Sequence, residues 1–237
     1  MQQILHRLSS QDLSFPPINQ ALTEPSGLLA VGGDLSPQRI VNAYSQGIFP
    51  WFSEGDPILW WSPDPRAILP LKELRINRSL RKFLKKSPYQ VTLNQAFDEV
   101  IEYCSDAPFR NEETWIVPSM MWAYQQLHRQ GIAHSVEVWH DSQLVGGLYG
   151  IAIGGFFSGE SMFYTAENAS KVALIALQRH LMKQNIGFID CQIQNPFLQS
   201  MGSREILRED FSKLLKHAIQ CDISDDCWLP KTLKLEN

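Results

Sequence analysis

Ser142 to Gly159 runs eighteen residues without a charge. Half of those positions are Gly, Ser or Gln, and acids flank the run at Asp141 and Glu160. A membrane-spanning helix needs about 20 predominantly apolar residues, which this stretch does not supply. Around it the apolar period is two. His134 to His140 alternates about Val136 and Val138, Asp141-Ser142 forms a turn, Gln143 to Ile153 continues extended, and Phe156 to Phe163 follows as a further apolar, aromatic run. Buried strands at the centre of a sheet are the reading that fits.

The surrounding chain has to cover that sheet. Asn168 to Gln184 is expected as a long helix with Leu174, Leu177 and Leu181 on one face. Helices are also expected over Arg78 to Lys86, Asn94 to Cys104, Pro118 to Arg129 and Arg208 to Ala218, with a short turn at Pro196 to Met201 and short strands at Gly187 to Gln192 and Ser203 to Leu207. The first 65 residues are punctuated by Pro and Gly, with one helix after Asp34 or Ser36 that Gly47 ends. The expected fold is α+β (mixed α/β), with a small domain over 1–62 and a larger one over 63–237. Hydrophobic residues make up 44% and charged residues 19%, so a packed core rather than disorder is expected. Four Cys with no CxxC spacing, and no secretory leader, point to reduced thiols in the cytoplasm.

The formal net charge is −4, yet residues 72–86 hold seven Lys or Arg and one acid. That segment carries +6 and leaves −10 for the rest. Arg75, Arg78, Lys82 and Lys85 would share one stripe if the helix began early. Such a stripe suits a phosphate backbone, and a solvated helix face is the alternative. Asp190 and Gln192, two apart on a strand, would face the same way and could orient an amine, or simply end a hydrogen-bonded strand. Glu160 sits inside an aromatic run, where it either receives a cationic or hydroxyl-bearing ligand or forms a salt bridge, for instance to Lys171. Trp51, Trp60, Trp61 and Trp115 can stack on bases or fill a domain junction. No GxSxG, P-loop, HExxH or GxGxxG motif occurs, and no metal is expected.

Taken together, several strings resemble the leucyl/phenylalanyl-tRNA–protein transferases. They include Glu24 to Pro37, Gly47 to Phe52, Trp60 to Arg66, Thr114 to Ile116, His134 to Trp139, Gly159 to Phe163, Asn168 to Lys171 and Ile189 to Gln192, spanning nearly the whole chain in order. The resemblance implies a small N-terminal domain beside a GNAT-like domain whose central, mostly antiparallel sheet is flanked by helices. It implies transfer of Leu or Phe, and Met less well, from aminoacyl-tRNA to proteins beginning with Arg or Lys, in the N-degron pathway, without a cofactor, metal or membrane. By the same resemblance, Trp51 and Trp115 bind the aminoacyl-adenosine end, Leu148, Leu177 and Leu181 form part of the amino-acid pocket, and Asp190, Gln192 and Glu160 lie in the catalytic neighbourhood. The basic stripe is assigned to tRNA phosphates. Tyr164 to Glu167 lacks the coenzyme A-binding turn of the acetyltransferases, which fits a tRNA donor. Two other readings are a coenzyme A-dependent N-acyltransferase and a non-catalytic RNA-binding module.

Overall fold

The computed structural model describes residues 4–106 and 115–235. Thr114 and the outermost ends of 1–62 and 63–237 therefore lie outside the described residues.

Two sheets organise the chain. The smaller has the order β1 (His6–Leu8), β2 (Leu28–Gly32), β4 (Leu59–Trp61), β3 (Phe49–Pro50), with helix α1 (Pro37–Tyr44) beside it. Ser36 caps α1, its Oγ accepting from the Arg39 amide at 3.4 Å, and Asp34 Oδ1 holds the cap residue by accepting from the Ser36 amide at 2.8 Å. Their strands are two to five residues long and lie among Pro and Gly.

Eight strands form the larger sheet. Their order is β11 (Arg204–Ile206), β5 (Arg66–Pro70), β10 (Phe188–Gln192), β9 (Phe156–Tyr164), β8 (Gln143–Ile153), β7 (Ala133–His140), β6 (Gln90–Leu93), β12 (Lys231–Leu233). Only β9 and β10 run parallel among these neighbours. The β7–β8 turn works because Asp141 and Ser142 adopt φ of 47° and 65°, the left-handed geometry that matches strand twist.

Each face of this sheet is covered. One carries α3 (Phe97–Ser105), α4 (Pro118–Arg129), α7 (Arg208–Ala218) and the smaller sheet, around Tyr149, Ile151, Phe156 and Phe163. The other carries α2 (Arg78–Leu84), α5 (Ala169–Lys183) and α6 (Pro196–Met201), around Leu69, Val136, Leu148 and Ile189. The expected α+β class with a central, mostly antiparallel sheet is the one observed. Asn168 precedes α5 with φ 60° and makes no side-chain cap, so the helix starts from a left-handed residue. No helix among the described residues is long and apolar enough to cross a membrane.

Candidate functional site

The parallel pair β9–β10 is joined at one register position, Asp190 opposite Ser158. Beyond it the strands part, and a bulge in β10 falls between Asp190 and Gln192, with Gln192 at φ 54°. A cleft of ≈ 980 Å³ opens there. Phe49 to Trp51 of the smaller sheet and Trp115 line one side. Leu148, Phe157, Met162, Leu174, Leu177 and Ile189 give it an apolar lining, while Glu160 and Gln192 bring polar groups.

The bulge changes what Asp190 and Gln192 can do. On a regular strand both would look the same way. Here Gln192 lines the cleft and Asp190 is fully buried behind it. Asp190 Oδ1 accepts from Arg66 Nε at 2.8 Å and from the Gln192 amide at 3.2 Å; Oδ2 accepts from Arg66 Nη2 at 2.7 Å and from Ser158 Oγ at 3.0 Å. A carboxylate has about four lone-pair sites, and these four donors fill them. Arg66 also donates to the Gly47 carbonyl at 3.0 Å and lies between the Phe49 and Phe211 rings, 4.8 and 4.6 Å from their centroids. Asp190 therefore faces Gln192 and Arg66 and is not among the residues that line the cleft.

An ionised carboxylate can only accept, so Ser158 must spend its single proton on Asp190. Ser158 Oγ is then left to accept, and it does so from Gln192 Nε2 at 2.7 Å. The chain of donors therefore turns the Gln192 amide nitrogen inward. Its carboxamide oxygen is the end presented to the cleft.

Glu160 is half-buried in the cleft wall, and Tyr124 Oη donates to its Oε2 at 3.0 Å. Tyr124 and Tyr44 share a 2.6 Å hydroxyl contact behind it. The salt bridge to Lys171 considered from sequence is not formed. Burial pushes the Glu160 carboxyl up to about 7; the Tyr hydroxyls pull the other way and the Asp190 charge adds to the rise. The folded pKa exceeds the ordinary glutamate value of 4.5, so the folded state holds this proton more tightly. Stability from this group is therefore lost as pH rises from about 4.5 to about 7. Glu160→Gln, which keeps an acceptor for Tyr124, should gain about 2 kcal/mol on wild type between pH 4 and pH 8, solvent at the cleft screening the remainder. Thermal melts of both proteins across that range check it; parallel curves would place the carboxyl at an ordinary pKa.

The remaining candidates separate. Trp51 is 41% exposed at the mouth and packs on Trp61, whose Nε1 donates to the Trp51 carbonyl at 2.7 Å. Trp60 is fully buried and belongs to the core. Leu148 and Leu177 line the cleft, whereas Leu181, one turn further along α5, is buried in the core and does not. Arg75 precedes α2 and Lys85 caps its end, so only Arg78 and Lys82 of the expected stripe stand within the helix. All four are exposed, with Arg81 and Lys86 alongside. Among the described residues no three His, Cys, Asp or Glu side chains gather in a way suited to a metal.

Sequence reasoning missed Arg66, Ser158, Tyr44 and Tyr124. Arg66 closes the Trp60 to Arg66 string, but its role depends on a carboxylate 124 positions away. Ser158 is an ordinary strand residue until the register sets it opposite Asp190.

Comparison with known proteins agrees with the resemblance seen in the sequence. A family model described as leucyl/phenylalanyl-tRNA protein transferase matches residues 68–216, and the model of that family's N-terminal domain matches residues 33–64. A leucyl/phenylalanyl-tRNA–protein transferase of Colwellia psychrerythraea is 58% identical over 98% of this chain and 99% of its own. One from Erwinia tasmaniensis is 54% identical over 97% and 99%. Among solved structures there is a loose likeness to a GCN5-related N-acetyltransferase-like protein from Streptococcus suis, with TM-score 0.35 and 11% identity over 71% of this chain and 63% of that one. With its family model matched across the larger sheet and its relatives matched nearly end to end, the chain belongs to the leucyl/phenylalanyl-tRNA–protein transferases, a family of aminoacyltransferases.

Proposed function

We propose that the protein moves Leu or Phe, and Met less well, from aminoacyl-tRNA to the α-amine of proteins that begin with Arg or Lys, and so marks them for the cytoplasmic N-degron pathway. The observation that carries the reading is the directed chain from Asp190 through Ser158 to Gln192 at the wall of an apolar cleft. In the reaction the amine nitrogen bonds to the ester carbonyl carbon, the bond from that carbon to the ribose oxygen breaks, and a proton passes from the amine to the leaving ribose hydroxyl. An α-amine has a pKa of about 7.7–8.0, so part of it is already neutral near pH 7.5 and positioning is the main task. Oriented reactants can lower the barrier by about 7–11 kcal/mol. The Gln192 carboxamide oxygen accepts from the amine and aims its lone pair at the ester. Asp190 anchors that amide through Ser158 and needs no proton of its own; a ribose hydroxyl can carry the proton. Trp51 and Trp115 stack on the terminal adenosine, Leu148 and Leu177 receive the donor side chain, and Leu181 backs them from the core. Glu160 draws the cationic N-terminus. The unit 1–62 contributes the Trp51 side of the cleft and 63–237 the rest.

Arg75, Arg78, Lys82 and Lys85 take tRNA phosphates. Among the described residues none of them is held in an ion pair. Replacing Arg78, Lys82 and Lys85 by Gln together should lower the slope of log affinity against log salt by about 2–3. A tRNA titration from low to moderate salt reads this directly, and an unchanged slope would move the phosphates elsewhere.

The reaction itself is tested by transfer of radiolabelled Leu from Leu-tRNA to a peptide beginning with Arg, with an Ala-first peptide and acetyl-coenzyme A as controls. Label in the Arg-first peptide alone is the expected result. Bound tRNA without transfer would favour an RNA-binding module, and acetylation would favour a coenzyme A-dependent enzyme.

A further inference from the structure

The segment that follows α7 returns across the far end of the larger sheet and ends by pairing β12 with β6. Trp228 stands in it just before that strand. The indole lies on His134, centroids 4.1 Å apart and planes within 8°, and also stacks on Phe157, at 5.5 Å and 22°. His134, Trp228 and Phe157 thus form a layered series of rings. Phe157, at its end, lines the cleft.

The series is held by polar contacts at its edge. Asn94 Nδ2 donates to the Trp228 carbonyl at 2.6 Å and lies 2.9 Å from His134 Nδ1, while Asn94 Oδ1 accepts from the Ser135 amide at 2.9 Å. Burial lowers His134 to about 3, so it stacks as a neutral ring. His180, three residues beyond Leu177 on α5, donates from Nε2 to the Cys227 carbonyl at 2.9 Å and meets the indole edge-on at 5.8 Å. The segment therefore braces two walls of the cleft from behind, the Phe157 ring and the helix that carries Leu177.

We propose that Trp228 is a positioning residue for donor selection: its indole holds Phe157 forward, so the C-terminal segment sets the depth of the pocket that receives the donor's side chain. The inference rests on the reading of the cleft as the amino-acid pocket given above. A ring that can retreat gives room to a larger side chain and leaves a smaller one loosely held. A pocket distinguishes substrates differing by a methylene about 10–200-fold, so a change of this size is within reach of wall movement.

The test compares kcat/KM for Leu-tRNA and Phe-tRNA with an Arg-first peptide as acceptor. Trp228→Ala is expected to raise the Phe-to-Leu ratio about tenfold, chiefly through KM for the Leu donor. Trp228→Phe, which restores a flat ring, should bring the ratio back toward wild type. Asn94→Gly keeps the φ of 56° while releasing the Trp228 carbonyl, and decides the matter if Trp228→Ala does not fold, by shifting the ratio the same way. Equal losses for both donors, or an unchanged ratio, would overturn the inference and leave the transferase reading intact. A wild-type protein that transfers from neither donor would overturn that reading and the inference with it.

Discussion

Arg66→Met is expected to cost about 3–5 kcal/mol of stability and to abolish transfer. The Arg66–Asp190 pair is fully buried and bidentate, at 2.8 and 2.7 Å. Removing the cation leaves a carboxylate with neither water nor a counter-charge, and that unpaired charge is the main loss. Methionine keeps apolar volume between Phe49 and Phe211, so little of the effect comes from a cavity. The double variant Arg66→Met with Asp190→Leu separates the causes. Replacing both charges by apolar groups should recover most of the stability, because a buried pair is often no better than a packed apolar substitute. Transfer should stay absent, since Ser158 then has no acceptor and Gln192 loses its orientation. Urea unfolding of the three proteins, with transfer measured under native conditions, reads both effects. A single variant within about 1 kcal/mol of wild type would show that the charge finds another partner.

Gly150→Ala is expected to lower kcat for transfer by about 100-fold or more. A Cβ at Gly150 would lie 2.2 Å from the Ser158 carbonyl oxygen and 2.5 Å from the Phe157 ring. The first of these is backbone, so strand β9 must shift. It shifts at Ser158, the residue that links Asp190 to Gln192. The Phe157 ring cannot easily yield either, with the Trp228 indole behind it. Overpacking of this kind costs about 1–3 kcal/mol, so the variant should fold and still lose its aim. Gly187→Ala is the matched control, since a Cβ there meets nothing within 4 Å. Both variants are compared by thermal melts and single-turnover transfer. A Gly150→Ala protein with near-normal kcat would mean that the Gln192 amide can be moved without harm.

Much of the larger sheet was legible because its elements are long enough to show a period. Pro118–Arg129 and Arg208–Ala218 fall where Pro, Gly and apolar spacing put them. The Gln143 to Ile153 strand, despite its glycines, falls where the alternation does. The strands of the smaller sheet were not legible, since two or three residues such as Phe49–Pro50 carry no period. β5 and β6 were missed for a related reason. Four or five residues beside a basic helix look like linker until a neighbour pairs with them. At the cleft, Asp190 and Gln192 were found as residue types, but their orientation was not. A bulge falls between them, and the two side chains are joined through the Ser158 hydroxyl, a link that only the register of β9 against β10 supplies.

The guanidinium of Arg66 also dates the cleft within the life of the chain. It is held by the Gly47 carbonyl, the Phe49 ring, the Asp190 carboxylate and the Phe211 ring. These come from three separated stretches of sequence, the last of them in α7. A nascent chain that has not yet released residue 211 has no enclosed position for this cation, and so no anchor for the groups above it. The wall that holds Asp190, Ser158 and Gln192 is consequently among the last parts to form during synthesis. A ribosome-bound chain stalled before α7 emerges would meet the cell's charged tRNAs with its strands made and its chemistry absent.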